Sequence, residues 1–485
     1  MKIERLSIDT LRELSAAIKR PSYEPASITS GIVHFGVGNF HRAHQAVYCD
    51  TLLNQGETKW GITGISMRSP GMRDNLTPQN YLYTLASLGE ATSYRIIGAI
   101  QNILVAAESP QSVIDVVADN QTQLVTTTIT EKGYYLTSGQ IDLSNIDIAQ
   151  DLKSLNVPQT AYGYLAAALI KRCTNQSSPL TILCCDNMHA GGEHLLSGVQ
   201  ILLERHSPET LSWVKANVVF SSSMVDRVTP ATNQQLKDQV AEQLGVFDAA
   251  PVAAEPFTQW IIENRFAGVR PPFDRAGALF VDDIAPYERI KLRFLNAGHS
   301  ILAALGYLAG DQFIHEALRR PRLARFAEQA LKLNVMPVTP VPEDVSGETY
   351  IDQVLARFRN GNLPYAVLQV GTDSSQKIQQ RLLPTIDDAL NHGDDSSYLA
   401  FALSAWVCFI RKALLSDDLN DPMRDAFAEV ISKNDSDDVE RFLKLAGADK
   451  FSFFSDAHFM ASVQQFHRNI NEVGIEQAID TFFNT

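Results

Sequence analysis

Short apolar runs rich in β-branched residues alternate with stretches of helical periodicity over the first half of the chain. Runs of this length and composition predict β-strands, and the strands expected are residues 31–37, 60–67, 94–100, 123–130, 180–187 and 218–226. Apolar residues recur at helical spacing between several of them, in segments 41–54, 112–119 and 192–206. This alternation indicates right-handed βαβ units and a mainly parallel, doubly wound sheet.

The pattern changes at about residue 286, after which no further strands are predicted. Nearly every later segment has helical periodicity, as in 321–333, 397–415 and 421–433. The predicted fold class is therefore α/β. A Rossmann-like, doubly wound domain is expected over residues 1–286, followed by a mainly α-helical domain over residues 287–485.

Residues 287–308 open the helical half and are predicted to form one long helix with a polar face. With Lys291 as the origin and about 100° per residue, Asn296 falls at about 140° and His299 at about 80°. Glu288 falls at about 60° on the same scale, so an amine, an amide, an imidazole and a carboxylate share one arc. A lysine in a partly dry pocket has a lowered pKa and can act as a base near neutral pH. The simpler alternative is a solvated face.

Composition narrows the class of protein. A chain of 485 residues suggests two or three domains. Its 45% hydrophobic and 20% charged residues are typical of a globular protein. The net charge of -14 argues against nucleic acid as the main partner, because phosphate binding needs a basic surface.

The amino-terminal segment lacks the apolar core of a secretory signal, so none is predicted. The apolar stretch 398–415 contains Arg411 and Lys412, which favours a buried helix over a membrane span. The five cysteines form no C-x-x-C pair and have no zinc-ligand spacing. We therefore expect a cytoplasmic protein without a metal site.

The first predicted strand leads into Gly-Val-Gly-Asn-Phe-His at residues 36–41 and then into a helix. Gly36 and Gly38 permit a tight turn and close backbone approach, and a helix amino terminus attracts a pyrophosphate. We therefore predict dinucleotide binding, with Asn39 and Phe40 also in the cofactor set. His41 replaces the third glycine of the usual fingerprint, and a purely structural turn is the alternative.

The second predicted strand ends in Met-Arg-Ser-Pro, where NAD-binding proteins usually carry an acidic residue for the ribose hydroxyls. Arg68 could accommodate a 2′-phosphate or stack on adenine. The predicted cofactor is NAD, and NADP remains open.

Six ordered motifs carry a resemblance to a known family: HFGVGNFHRAHQ, ITEKGY, CCDN, MVDRVTP, EPFTQW and K-x5-N-x2-H. From about residue 30 to the carboxyl terminus, the chain resembles the mannitol dehydrogenase family, the polyol-specific long-chain dehydrogenases and reductases. The resemblance implies a metal-independent oxidoreductase that uses NAD(P) to move a hydride to or from a secondary alcohol carbon. It also implies a monomer whose partner is a small sugar, polyol or sugar acid.

The resemblance implies roles for the polar residues. Lys291 would exchange a proton with the substrate hydroxyl, and Asn296 and Asn187 would donate hydrogen bonds to the same oxygen as it becomes alkoxide-like. His299 would hold a neighbouring hydroxyl. Glu288 would connect the lysine to water as a proton relay.

Asp226 and Lys377 match family positions that line the substrate site. Each of several residues also has a structural alternative. Asp226 could form a salt bridge with Arg227, and Asn187 could cap a helix or form an Asx-turn. His34 is expected to be a hydrogen-bonded core histidine, and the histidines at 41 and 44 to be packing residues near the cofactor.

Substrate choice depends on one segment, 368–384. Gln369 stands where mannitol-type members have arginine, and the segment resembles fructuronate reductases more closely. Lys377 and Arg381 are the candidates to bind a carboxylate, with Gln369 in the same substrate set. The predicted reaction joins D-fructuronate and D-mannonate. The alternatives are mannitol 2-dehydrogenase acting on D-fructose and D-mannitol, another polyol dehydrogenase, or an inactive nucleotide-binding sensor.

Near the catalytic histidine the family usually reads Asn-Gly-Ser-His, whereas this chain reads Asn-Ala-Gly-His at 296–299. The spacing is unchanged, so we expect only the packing to differ.

Overall fold

The structure, a computed structural model, describes residues 3–137, 139–432 and 438–484. The chain folds into two compact units, Met1–Ile284 and Ala285–Thr485. The first contains the β-sheets and the second is built from helices. The predicted fold class is confirmed.

The strands of the first unit are β1 (Ile32–Phe35), β2 (Ile62–Ser66), β3 (Tyr83–Leu88), β4 (Thr92–Ile97), β5 (Ile100–Val105), β6 (Leu124–Thr127), β7 (Leu136–Thr137), β8 (Gln140–Ile141), β9 (Leu180–Cys184), β10 (Val218–Asp226), β11 (Val252–Ala254), β12 (Gln259–Glu263) and β13 (Leu279–Val281). Eight of them form the main sheet in the order β13-β12-β10-β9-β6-β1-β2-β5. Its neighbours run parallel except for β10 and β12. A second sheet has the order β11-β3-β4, and β7 and β8 form a hairpin.

The central strand β1 is buried on both faces, as expected for a parallel strand covered by helices. Ile32 pairs with Ile62 of β2 and with Leu124 of β6. Successive side chains alternate, so Ile32 joins one apolar cluster whereas Val33 and Phe35 join the other. The sheet therefore separates two cores.

The strand predicted at 94–100 is wrong in its extent. Residues 92–97 form β4, which pairs antiparallel with β3 in the small sheet. A new strand, β5, begins at Ile100 and pairs parallel with β2. The continuous apolar run gives no sign of the break between β4 and β5. Only the pairing of each strand with a different partner in the fold separates them. The strands β3, β11, β12 and β13 were not predicted.

The helices of the first unit are α1 (Asn39–Ala43), α2 (Gln45–Asn54), α3 (Gly71–Leu76), α4 (Pro110–Ala118), α5 (Ile146–Lys153), α6 (Ala161–Thr174), α7 (Gly191–His206), α8 (Thr210–Asn217) and α9 (Gln234–Leu244). The predicted helix 41–54 is divided into α1 and α2 at His44, whose backbone leaves the helical region.

The helices of the second unit are α10 (Ala285–Ile290), α11 (Ala297–Ala309), α12 (Ile314–Ala317), α13 (Pro321–Gln329), α14 (Gly347–Phe358), α15 (Val367–Val370), α16 (Ser374–Arg381), α17 (Leu383–His392), α18 (Ser397–Leu415), α19 (Arg424–Ser432), α20 (Asp438–Leu445), α21 (Ala457–Val473) and α22 (Ile475–Asn484). Two π-helical segments, Lys291–Asn296 and Ala330–Val335, continue α10 and α13. The predicted regular helix 287–308 is therefore interrupted by a wider turn.

The helix α18 is the one candidate membrane span among the described residues, by length and hydropathy. Seventy-eight per cent of its apolar window is buried inside the fold, where it packs against α11 and α21. Its apolar side chains therefore form part of the core of the helical unit.

The core histidine His34 lies on β1 and is fully buried. One ring nitrogen is 2.7 Å from the Thr126 hydroxyl, and the other is 2.8 Å from the Thr128 hydroxyl. Its ring stacks on His41 with the centroids 3.4 Å apart. Burial lowers the pKa of His34 from 6.5 to about 3, since the charged imidazole would lose its hydration.

We expect His34 to make folding sensitive to acid. Its pKa is lower in the folded state, so its stabilising contribution is complete above pH 6.5 and is lost as the pH falls towards 3. Each such group contributes a slope of up to about 1.4 kcal/mol per pH unit. Urea unfolding from pH 7 to 4 should give a shallower slope for His34→Gln than for the wild type. A substitution at the exposed His392 is the control, and equal slopes for His34→Gln and wild type would contradict the expectation.

Candidate active site

The turn after β1 is shaped by its first glycine. Gly36 has φ +99°, and an added Cβ would overlap the carbonyl oxygen of Thr128. The Thr128 hydroxyl also donates to the Gly36 carbonyl at 2.8 Å. The chain can thus pass this close to the neighbouring strand only with glycine at 36.

The second glycine of the turn faces open space. A Cβ added to Gly38 would have no neighbouring atom within 4 Å among those described. Its backbone is extended, with φ -84° and ψ -176°, so the glycine is not needed for the turn itself. An open approach to the backbone fits a dinucleotide phosphate.

The position of this turn in the sheet supports the same conclusion. Strand β1 lies between β2 and β6, so the strand order reverses beside it. In doubly wound sheets, ligands bind at the carboxyl ends of the strands at such a switch point. The residues present therefore fit the predicted dinucleotide, NAD.

The side chains of Asn39 and Phe40 stabilise the turn. The Asn39 amide donates to the Pro230 carbonyl at 3.3 Å, and its oxygen accepts from Arg42 at 2.6 Å. The Phe40 ring stacks on His44 with the centroids 5.0 Å apart. Contact of either residue with cofactor stays a prediction.

The sequence analysis missed a buried network around Asp186. Its carboxylate accepts hydrogen bonds from the Tyr134 hydroxyl at 2.7 Å, the Thr127 hydroxyl at 3.1 Å and the Thr130 amide at 2.7 Å. Burial raises the pKa of Asp186, and the hydrogen bonds oppose this rise. The network ties the carboxyl ends of β6 and β9 together. Its only signal in the sequence was that Asp186 and Tyr134 lie in the CCDN and ITEKGY motifs.

Thr130 has φ +64° and ψ 160°, a backbone region that β-branched residues rarely adopt. The hydrogen bond from its amide to Asp186 holds it there. A strained residue at the carboxyl edge of the sheet supports a functional role for this loop.

Asn187 directly follows this network and is exposed. Helix α7 begins four residues later and has Ala190 at its N-cap position, so Asn187 does not cap that helix. Asp226 is the buried last residue of β10. The next residue, Arg227, donates to the carbonyls of Ala43 at 2.6 Å and Glu255 at 3.0 Å. Burial lowers the pKa of Arg227 to about 10.

In the second unit, Lys291 and Asn296 are the first and last residues of a π-helical segment. The Ala297 amide donates to the Leu292 carbonyl, five residues back. Such a turn stacks residues five apart, so the predicted offset of about 140° between Lys291 and Asn296, based on an α-helix, is wrong. The wider turn places the amine and the amide on the same side of the helix. Lys291 is buried, with 9% exposure.

The Asn296 carbonyl connects this helix to Arg381 on α16. It accepts from the Ser300 hydroxyl at 3.2 Å and from the Arg381 guanidinium at 3.4 Å. Arg381 also donates to the Ser300 hydroxyl at 3.1 Å. The structure thus brings Arg381 to the backbone of Asn296, and their joint role in binding substrate stays a prediction.

His299 is packed against two aromatic rings that the sequence analysis missed. Its ring stacks on Phe358 with the centroids 3.9 Å apart, and Tyr365 lies at 5.3 Å. A Cβ added to Gly298 would lie 3.4 Å from Phe358 and 3.3 Å from Leu331. The glycine of this chain's Asn-Ala-Gly-His sequence therefore lets the Phe358 ring approach the helix closely.

The remaining predicted residues lie around this helix at different depths. The Lys377 amine donates to the Val370 carbonyl at 3.2 Å and is half-buried, as is Glu288 on α10. Gln369 on α15 is exposed. A search of the described residues finds no group of three His, Cys, Asp or Glu side chains that could hold a metal ion. The site therefore offers an amine, amides and an imidazole for proton transfer and hydrogen bonding.

Comparisons with known proteins show similarity to one family of oxidoreductases. The family model described as the mannitol dehydrogenase Rossmann domain matches residues 30–275, and that of the mannitol dehydrogenase C-terminal domain matches residues 283–470. The D-mannonate oxidoreductase of Escherichia coli (strain K12) is 34% identical over 481 residues, which cover 97% of this chain and 99% of that protein. The mannitol 2-dehydrogenase of Phaeosphaeria nodorum is 37% identical over 400 residues, covering 81% and 70%.

A solved structure is also similar. The ternary complex of Pseudomonas fluorescens mannitol 2-dehydrogenase with NAD and D-mannitol has a TM-score of 0.83 at 30% identity, covering 99% of this chain and 100% of that one. The resemblance inferred from the motifs and the predicted cofactor NAD are confirmed.

We expect the two glycines of the turn to respond differently to substitution. Gly38→Val has room for its side chain and should fold with an unchanged Tm, but it should weaken NADH binding by at least about tenfold by filling the approach to the backbone. Gly36→Ala should lower the Tm by several degrees, because its Cβ overlaps Thr128 and its φ is unfavourable. Thermal scans and NADH titrations measure both effects. Full NADH affinity in Gly38→Val would contradict the expectation that the cofactor binds at the Gly36–Gly38 turn.

Proposed function

Because the chain belongs to the mannitol dehydrogenase family and is an NAD-dependent oxidoreductase, we propose that it interconverts D-fructuronate and D-mannonate. The observation that carries this proposal is the environment of Arg381. A carboxylate-bearing substrate would supply the negative charge that this arginine lacks among the described residues.

Arg381 is a half-buried cation whose hydrogen bonds go to a carbonyl and a hydroxyl. Among the residues that the structure describes, none supplies a carboxylate that pairs with it. Burial alone lowers its pKa to about 10, so the guanidinium remains charged at neutral pH. A desolvated cation beside Asn296 favours a substrate carboxylate through charge-assisted hydrogen bonds.

The proposed chemistry centres on Lys291. Its amine takes the proton of the substrate hydroxyl during oxidation and returns it during reduction. Asn296 donates to the same oxygen as negative charge develops on it, and Asn187 of the first unit is assigned the same role. NAD, when bound, accepts the hydride from the carbon that bears this oxygen, and NADH supplies it in the reverse direction.

The other residues are proposed to hold the substrate or to move protons. His299, kept in position by Phe358, donates to or accepts from a neighbouring hydroxyl. Glu288 relays the proton between Lys291 and water. Asp226, Gln369 and Lys377 are assigned to the remaining polar groups of the sugar acid.

A second candidate function is mannitol 2-dehydrogenase, with D-fructose and D-mannitol. It is favoured by the similarity to the Pseudomonas fluorescens enzyme, whose structure holds D-mannitol. In either case we propose a cytoplasmic protein, because its five cysteines are free. The monomeric state is proposed from the resemblance to the family alone.

We expect Lys291→Ala to lower kcat by roughly 10²- to 10⁴-fold while leaving NADH binding nearly intact, because the variant lacks the group that transfers the proton. Steady-state kinetics and NADH titration separate the two effects. Lys332→Ala, which removes a lysine paired with Glu328 and Asp352 on another helical segment, is the matched control. If Lys291→Ala kept more than about a tenth of the wild-type kcat, the assignment would be wrong.

We expect the protein to reduce D-fructuronate with NADH at a higher kcat/KM than D-fructose. A hydrogen bond to a charged group contributes about 1.5–3 kcal/mol, which corresponds to at least tenfold discrimination. Arg381→Gln should remove most of this preference by raising the KM for D-fructuronate. The control is Arg322→Gln, which changes an exposed arginine bonded to Asp480. Equal or better activity of the wild type on D-fructose would favour the second candidate.

A further inference from the structure

Arg68 at the end of β2 is paired with a carboxylate from a distant part of the first unit. Its guanidinium lies 3.3 Å from the carboxylate of Asp147, in the first turn of α5. The Arg68 side chain is 81% exposed, whereas that of Asp147 is 27% exposed. The arginine is therefore free to move away, and the carboxylate is the fixed member of the pair.

Two hydrogen bonds hold Asp147 in place. The Tyr135 hydroxyl donates to its carboxylate at 2.8 Å, and the Asp147 amide donates to the Asn145 side chain at the helix N-cap. The first turn of a helix also favours a negative charge. Tyr135 has φ +50°. The hairpin β7–β8 follows it and connects it to α5. The fold thus brings a carboxylate to the end of β2, where the local sequence has none.

The residue at this strand end usually distinguishes NAD from NADP. An acidic side chain there accepts the ribose hydroxyl of NAD, whereas an arginine accommodates the 2′-phosphate of NADP. Arg73, on α3 after this strand end, is already bonded to Asp74 and Glu108. Arg68, which is 81% exposed and pairs with Asp147 at 3.3 Å, is the cation that a 2′-phosphate would meet here.

We propose that Asp147 sets the preference of this chain for NAD over NADP. The inference rests on the dinucleotide-dependent function proposed above. The carboxylate neutralises Arg68 and competes with a 2′-phosphate for its guanidinium, and it repels the phosphate directly. The ribose hydroxyls of NAD carry no charge and can donate to the same carboxylate. Asp147 therefore acts as the acidic residue missing from the end of β2.

The test is to measure dinucleotide binding by the full-length protein, without any sugar substrate. Quenching of protein fluorescence gives the Kd for NADH and for NADPH. Asp147→Asn should lower the ratio Kd(NADPH)/Kd(NADH) by at least about tenfold, equivalent to about 1.4 kcal/mol. Asp115→Asn, which breaks an exposed pair with Lys171 in the same unit, should leave the ratio unchanged.

A double-mutant cycle identifies the interaction between the two residues. Arg68→Gln should weaken NADPH binding more in the Asp147→Asn background than in the wild type, because Asp147 otherwise competes for the guanidinium. Arg68 is exposed, so its substitution should not impair folding. Additive effects on NADPH binding would overturn the proposal.

The outcomes separate this inference from the function on which it rests. Tight NADH binding by the wild type with an unchanged ratio in Asp147→Asn would overturn the role of Asp147 alone. A wild-type protein that binds neither dinucleotide would instead overturn the oxidoreductase function, and the inference with it.

Discussion

The wide helical turn from Lys291 to Asn296 is the constraint on which the chemistry of the second unit depends. A π turn brings residues five apart to the same side, so Lys291 and Asn296 share one side of the helix. Irregular helices also leave carbonyl groups that need other donors. The Asn296 carbonyl, at the end of this turn, accepts from Ser300 and from Arg381, the cation proposed to bind substrate.

In the first unit, hydrogen bonds hold the loops at the carboxyl edge of the main sheet. Several buried polar groups at the carboxyl edge of the main sheet form hydrogen bonds that fix the loops there. Asp186 accepts from two hydroxyls and a backbone amide, and the Thr128 hydroxyl donates to the Gly36 carbonyl at 2.8 Å. These bonds tie loops to strand ends, which gives the dinucleotide a rigid edge on which to bind.

Charge placement explains how one catalytic set could serve different sugars. In the proposed function, Lys291, Asn296 and His299 act on the alcohol group that all such substrates share. We propose that the distinction between a neutral ketose and a sugar acid then depends on the cation of Arg381, which pairs with no carboxylate among the described residues. At the predicted cofactor site the arrangement is the opposite, because Arg68 is already paired with the carboxylate of Asp147.

The amino-acid sequence by itself determined the fold class, the turn at Gly36 and the polar set around Lys291. These features depend on local periodicity and on spacing along one helix or one turn, and both can be read directly from the amino-acid sequence. Only the tertiary structure decided the π turn, the separation of 94–100 into strands of two sheets, and the neighbours Asp147 of Arg68 and Phe358 of His299. The strand pairings and the neighbours of Arg68 and His299 depend on contacts between residues far apart in the chain, and such contacts leave no periodic signal in either partner. The π turn joins residues only five apart, but the apolar spacing expected of an α-helix does not reveal it.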